Sequence, residues 1–264
     1  MANTIDWGEA SVNNTNGYGK GRINNTIRWG KIYDSSASGD TNIGTETTPS
    51  FSNTKSILLD KVDDYVDTDI DIDATNGVTV SMWVKAPDSG TAGGWILSRG
   101  STGGSNSTLN FDIKADGRLF HRIFGSSTNT GVNGLMDGNW HHLIILINYS
   151  ADNITFFKDG TSSGNTLGNG DTYATIKFQR LGNAASNYYG GFVDEFAIFK
   201  SVLSESDITS IYNGGVPNDI SSLSPFLWWR CGDSDTAPTL TDNGSGGNNG
   251  TMNNFSRFST DVPT

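Results

Sequence analysis

Val78-Thr79-Val80-Ser81-Met82-Trp83-Val84-Lys85 alternates its side chains with a period of two. Successive side chains of a strand point to opposite faces of a sheet. Val78, Val80, Met82 and Val84 therefore line one buried side, while Thr79, Ser81, Trp83 and Lys85 form a wetter one. The same pattern recurs on either side of this octapeptide. Ser56-Ile57-Leu58-Leu59 and Tyr65-Val66 precede it; Phe111 and Ile113, set against Asp112 and Lys114, and then Leu119 to Phe124 follow. Trp140 to Asn148 is an almost unbroken apolar run, the pattern of a strand buried on both faces. Ile154 to Lys158 runs into Asp159-Gly160, a two-residue hairpin signal. Thr172 to Arg180, Phe192 to Phe199 and Phe226 to Arg230 complete the set. Many short strands divided by Gly, Asn, Asp and Ser clusters predict an all-β, two-sheet antiparallel sandwich or jelly roll.

One short helix interrupts this pattern. Ser204 is a capping residue, Asp207 stands where its carboxylate reaches back to the cap amide, and Leu203 with Ile208 can flank the turn. Ile208, Ile211 and Tyr212 give the helix an apolar side, and Gly214-Gly215 followed by Pro217 end it. Such a helix is expected to act as a plug or lid on the sandwich.

Composition narrows the function. Of 264 residues, 118 are Gly, Ser, Thr or Asn, a turn and strand composition, while 13 Phe, 8 Tyr and 7 Trp supply one large core. The net charge of −11, without a Lys/Arg cluster, excludes a protein that tracks a phosphate backbone. No apolar run is long enough for a membrane helix, and the first twenty residues hold no secretory apolar region, so a soluble protein made without export is expected. The lone Cys231 forms no internal disulfide and reads as a small buried side chain.

The first 45 residues differ from the rest. Trp7-Gly8, Tyr18-Gly19 and Trp29-Gly30 recur every eleven residues, and Val12-Asn13-Asn14-Thr15 and Ile23-Asn24-Asn25-Thr26 share a box. So few apolar residues cannot bury a core, so this stretch is expected to be an extended arm that orders by docking, with Trp7, Tyr18 and Trp29 as anchors. A spacer with accidental periodicity is the alternative. Residues 46–264 then form the domain.

Five phrases, in order, resemble laminin-G-like, concanavalin-A-like jelly rolls: Leu59 to Val66, Val78 to Lys85, Asp137-Gly138-Asn139-Trp140-His141-His142-Leu143, Phe156 to Gly160, and Phe192 to Phe199 leading into Leu203-Ser204-Glu205 and Ile211-Tyr212. The resemblance spans about residues 50 to 215 and implies two curved sheets and a binding-type module. The tail, from Trp228-Trp229-Arg230-Cys231 to Asn249-Gly250-Thr251-Met252, looks like the phrase that usually precedes the first strand. Residues 225–264 are therefore expected to close the sandwich as a permuted strand; the rival reading is a truncated second copy. Trp29 to Asp34 and Ser38 to Ile43 resemble the openings of tailed-bacteriophage structural proteins.

Glucanases share this fold, so catalysis needs a test. Retaining hydrolysis uses two carboxyls roughly 5 to 5.5 Å apart, on alternating positions of a Glu-x-Asp-x-x-Glu phrase. Here only Glu9, Glu46, Glu195 and Glu205 are present, and Asp194 and Glu195, being adjacent, would face opposite ways. No enzyme is expected. His141 or His142 is expected to satisfy a buried backbone group. Asp67, Asp69, Asp71 and Asp73 alternate and would line one face with carboxylates, either solvated or holding Ca²⁺. By resemblance, Asp63, Asp64 and Asp194 are the other calcium candidates. Exposed aromatics beside polar groups suit sugar stacking, which points to Trp95, Tyr188 and Tyr189; the alternative puts Trp95 in the core.

The sequence therefore predicts a non-enzymatic virion protein of a tailed phage. It would be a capsid decoration or a tail or fibre component, assembled in the host cytoplasm and exposed after lysis. Its partners would be other virion proteins and host surface glycans, with no nucleic acid or membrane, in a homo-oligomer. A bacterial extracellular carbohydrate-binding or adhesion module is the alternative, and a divergent glycoside hydrolase a third.

Overall fold

In the computed structural model, the described residues are 2–5, 10–13, 51–87, 93–98, 110–123, 126–168 and 175–264. The chain divides into two units, Met1–Ser50 and Phe51–Thr264. In the first, β1 (Ala2–Ile5) pairs antiparallel with β2 (Ala10–Asn13). Trp7, Tyr18 and Trp29 lie outside the described residues.

The second unit runs through β3 (Ser56–Asp60), β4 (Tyr65–Asp73), β5 (Val78–Lys85), β6 (Gly94–Ser98), β7 (Phe111–Ile113), β8 (Leu119–Ile123) and β9 (Ser126–Asn129). It continues with β10 (Trp140–Asn148), β11 (Asn153–Lys158), β12 (Thr161–Gly168), β13 (Thr175–Leu181), β14 (Asn183–Ala184), β15 (Asn187–Tyr188) and β16 (Gly190–Phe199). After α1 (Glu205–Tyr212) come β17 (Leu227–Trp229), β18 (Thr239–Leu240), β19 (Gly250–Asn253) and β20 (Phe258–Ser259).

Two sheets form, antiparallel but for one parallel contact between β15 and β6. The first has the order β12-β11-β10-β5-β16-β3-β20, with β17 beside β16; the second has the order β18-β19-β4-β13-β6-β7-β8-β9. Strands of residues 225–264 thus enter both sheets: β17 pairs β16, β20 pairs β3, and β19 pairs β4. Trp229 is fully buried, with Phe196 at 5.4 Å and Phe178 at 6.1 Å, and its Nε1 donates to the Asn248 carbonyl at 2.8 Å.

The expected core face of β5 is observed: Val78, Val80, Met82 and Val84 join one cluster with Ile145, Phe156, Phe178 and Phe196. The face expected to be wetter is not. Thr79, Ser81 and Trp83 are buried as well, because α1 lies over that side of the first sheet. Ile208 packs on Ile144, Leu146 and Phe157, Ile211 joins Ala197 and Phe199, and Tyr212 stacks on Trp83 at 6.0 Å. The helix has the expected capping box between Ser204 and Asp207, and Asn213 ends it in the left-handed region. Asp159 (φ 51°) and Gly160 (φ 71°) make the β11–β12 turn, both with the positive φ that a type I′ turn demands.

Candidate functional site

The outer face of the second sheet gathers aromatic side chains into a line. Phe111 and Ile113 face the core, so Asp112 between them lies on the opposite side of the sheet, where it is itself buried, and its cross-strand partners are Trp95 on β6 and Phe120 on β8. Trp95 is paired in turn with Tyr188 of β15, and Phe120 with Asn129 of β9. The order across the strands is therefore Tyr188, Trp95, Asp112, Phe120, Asn129. Tyr65 extends it, with its ring 6.5 Å from that of Tyr188. Tyr65, Trp95, Phe120 and Tyr188 are all half-buried. Gly94 makes this arrangement possible: a Cβ there would lie 2.1 Å from the Tyr188 carbonyl oxygen, so only glycine lets the β15 backbone pass beside Trp95.

Cations decorate the row. The Arg180 guanidinium lies 4.3 Å from the Tyr65 ring centre; the Lys114 ammonium and Arg118 guanidinium lie 5.2 and 5.1 Å from that of Phe120. Each has a carboxylate: Arg180 that of Asp67 at 3.3 Å, Arg118 that of Asp116 at 2.6 Å, and Lys114 that of Asp112.

Of the residues expected to touch sugar, the structure thus brings Trp95 and Tyr188 together. Tyr189 is the correction: it is fully buried, because the next residue along β-structure turns inward, and burial drives its phenol pKa up. Neighbouring Phe120 and Tyr65 carry no local sequence mark. Strand register, set by residues far apart in the chain, places them.

The acidic residues fall into separate groups. Asp67, Asp69 and Asp71 meet β13: Arg180 pairs with Asp67, Gln179 Nε2 donates to Asp69 at 3.2 Å, and Lys177 pairs with Asp71 at 2.8 Å. Asp73 accepts from the Thr75 amide and hydroxyl instead, which holds its carboxyl below the usual range. Asp63 and Asp64 are joined by Asp60, and the three place ligand atoms within 4.8 Å of one another. Desolvation, then the like charges of Asp60 and Asp63, push the Asp64 carboxyl up. An oxygen-only set under mutual repulsion fits a hard cation such as Ca²⁺. Asp194 belongs elsewhere. It is fully buried, accepts from Asn53 Nδ2 at 2.8 Å, and has its carboxyl raised by desolvation and by Glu195.

Asp194 and Glu195 also depart from the expectation that they face opposite ways. A register shift in β16 lies between Asp194 and Ala197, and Glu195 has φ 44°, so both carboxyls are buried. Glu195 accepts from Trp228 Nε1 at 2.6 Å and Arg230 Nε at 3.1 Å.

A cleft of about 360 Å³ opens at one end of the first sheet, lined by Trp83, Lys85, Trp140, His141, Asp159 and Tyr212 among others. Its polar groups are engaged internally. Asp261 accepts from Lys85 Nζ at 2.6 Å and Trp140 Nε1 at 2.8 Å; His141 lies between Asp159 (2.8 Å) and Asp137 (3.1 Å). Neither histidine serves a backbone group, contrary to expectation. His142 bonds Ser81 Oγ at 2.9 Å, and burial takes its pKa down to about 3. Cys231 is buried, as expected, and no helix among the described residues is long and apolar enough to cross a membrane.

A protein search of curated sequences finds no match. Among solved structures, a candidate carbohydrate-binding protein from Bacteroides ovatus is similar over 81% of this chain and 62% of its own, with 14% identity and a TM-score of 0.59. A heptameric SAP-like pentraxin from Limulus polyphemus (61% and 82% covered, 14% identity, TM-score 0.48) and the CBM40 of a Ruminococcus gnavus sialidase bound to α2,3-sialyllactose (60% and 96%, 12%, 0.45) are more distant. The Laminin_G_3 profile matches residues 60–209, more than half of the sequence, and the chain therefore belongs to the concanavalin A-like lectin/glucanase superfamily.

Proposed function

We propose that residues 51–264 bind carbohydrate without cleaving it, and that the chain is a structural component of a tailed-phage virion, displayed through its first 45 residues. The carbohydrate reading is carried by the row Tyr188, Trp95, Asp112, Phe120 on one sheet face. The C–H faces of a sugar ring are apolar and slightly positive, and the faces of aromatic rings are negative, so half-exposed rings beside hydrogen-bonding groups suit saccharides. The cleft on the first sheet is less suited, since its donors and acceptors already satisfy one another. Asp194 and Glu195, the adjacent carboxyls a hydrolase reading would use, are buried beneath the surface and held by Asn53, Trp228 and Arg230.

The virion reading rests on the eleven-residue aromatic repeat and on the phage-like phrase from Trp29 to Ile43. Its partners would be other virion proteins and host surface glycans, in a homo-oligomer. Calcium at Asp60, Asp63 and Asp64 is part of the proposal. Purified full-length protein on a glycan array, beside Trp95→Ala, tests the first part: binding that the substitution abolishes is expected, and no binding to any glycan refutes it. Removing residues 1–45 should abolish particle association and leave the domain folded. Glycan binding without any particle partner would favour the bacterial adhesion module instead.

A further inference from the structure

We propose that the cleft at the end of the first sheet, a site separate from the ring row of the second, takes a quaternary ammonium group. Its volume of about 360 Å³ is that of a small-molecule site, and Trp83, Trp140 and Tyr212 line it. Tyr212 is fixed from two sides. Its ring stacks on Trp83 at 6.0 Å, and a Cβ at Gly160 would come within 2.9 Å of its Cδ1, so only glycine lets the β11–β12 turn close against it. Trp140 is held by its Nε1 bond to Asp261 and stands 5.9 Å from the Phe192 ring.

Charge, hydrogen bonding and ring chemistry together set the ligand class. Lys85 and His141 are the cations of the lining, and among the described residues three carboxylates meet them, Asp261 on Lys85 and Asp159 and Asp137 on His141. Against desolvation, these hydrogen bonds hold the Asp159 and Asp261 carboxyls below the usual range, and the Asn139 amide with His141 takes that of Asp137 down to about 2. One negative charge is therefore in excess even when His141 is protonated. The neighbouring Lys158 ammonium donates to the Asn133 and Gly134 carbonyls, which do not line the cleft. The helix adds the same sign: α1 ends at Tyr212, a lining residue, and its last turn carries no basic side chain. These charged groups already satisfy one another, so a ligand that must donate hydrogen bonds gains little. A primary ammonium is strongly hydrated and needs acceptors. A quaternary ammonium brings charge with no N–H, and aromatic rings attract it.

The test is an NMR titration of the full chain with choline, following the indole Nε1–H signals, that of Trp140 being assigned by its loss in Trp140→Leu. Choline should shift the Trp140 signal saturably. Its neutral isostere 3,3-dimethylbutan-1-ol, and ethanolamine, which keeps the charge but carries N–H donors, should each bind about ten-fold more weakly. Tyr212→Leu should weaken choline by about two- to thirty-fold, the range for one cation–ring contact, while Tyr212→Phe, which keeps the ring, should leave it unchanged. Thermal melts check that the variants fold. No saturable shift at Trp140, equal affinity for either analogue, or an equal loss in Tyr212→Phe and Tyr212→Leu overturns the inference. Phosphatidylcholine vesicles distinguish the source of the group: co-sedimentation beside choline binding places it on a lipid headgroup, and choline binding without co-sedimentation places it on a soluble molecule, both in support of the site.

Discussion

Arg230→Met should destabilise the domain far more at alkaline than at acid pH. Arg230 Nε donates to Glu195 at 3.1 Å, and its Nη2 donates to the Ser52 carbonyl at 2.6 Å and to Asp233 at 3.2 Å. The guanidinium lies 4.3 Å from the Phe51 ring centre, and Asp233 accepts from the Thr54 amide at 3.0 Å, so the group ties residues 51–54 to the segment after β17. Burial raises the Glu195 carboxyl, against the opposing pull of Arg230, to about 7. A carboxyl raised on folding favours the protonated native state: that stabilisation is complete below the ordinary carboxylate range and is lost as pH rises through about 7. Without Arg230 the carboxyl rises further, because only desolvation and the neighbouring acids remain.

At pH 9 the variant must either ionise Glu195 without its partner or hold a proton against bulk solution. Breaking a buried pair this way costs about 3 to 5 kcal/mol, which for a domain of this size lowers Tm by roughly 6 to 20 °C. At pH 5 Glu195 is protonated in the variant, and the cost falls to the lost packing and hydrogen bonds of Arg230, about 1 to 3 kcal/mol. Differential scanning calorimetry of both proteins at the two pH values measures the difference. Equal losses at pH 5 and pH 9 would refute the reasoning, since they would show that Glu195 does not sense Arg230.

Other tests probe separate parts of the molecule. His141 faces carboxylates at both ring nitrogens, and its pKa is raised, first by the hydrogen bond to Asp159. A neutral imidazole carries one N–H, so the two bonds need the charged form. The stabilisation is therefore present below about pH 6.5 and lost as pH climbs through the raised value; His141→Gln should flatten this part of the stability profile, and an unchanged profile would count against it. Deleting residues 225–264 removes Trp229 and three strands that pair β16, β3 and β4, so thermal unfolding should lose its cooperative transition; an intact midpoint would show the segment dispensable. Titrating Ca²⁺ into chelator-treated protein should release heat and raise Tm, and Asp63→Asn should suppress both; no heat and no shift would remove calcium from the proposal.

The parts of the fold governed by neighbours in sequence were legible. Alternation along Val78 to Lys85 gave the core face of β5, Asp159-Gly160 gave the turn, and Ser204 with Asp207 gave the helix start. What failed depends on distant partners. The outer face of β5 is buried because α1, more than a hundred residues later, covers it. The Asp67 to Asp73 row reads as an unpartnered carboxylate comb until Lys177, Gln179 and Arg180 arrive across the β4–β13 ladder. Asp194 and Glu195 are both buried beside a register shift in β16, which alternation alone cannot show. The ring row was half visible: the aromatics at Trp95 and Tyr188 stand out, but Phe120 joins them only through the β6–β7–β8 register, and Tyr189 separates from Tyr188 only by strand parity.

The two outer faces of the sandwich differ in what covers them. On the first sheet, α1 sets Ile208 and Ile211 on apolar side chains of β10, β11 and β16, and Asp261 ties Lys85 to Trp140, so that face is spent on packing and internal hydrogen bonds. On the second, no described helix intervenes, and the rings of Tyr188, Trp95 and Phe120 keep part of their surface toward solvent. Half-exposed aromatics cost stability relative to burial, and here four of them share one face with matched charges between them. Their partial exposure in register, on paired strands, is the reason to look for the carbohydrate there and not in the cleft at the end of the first sheet.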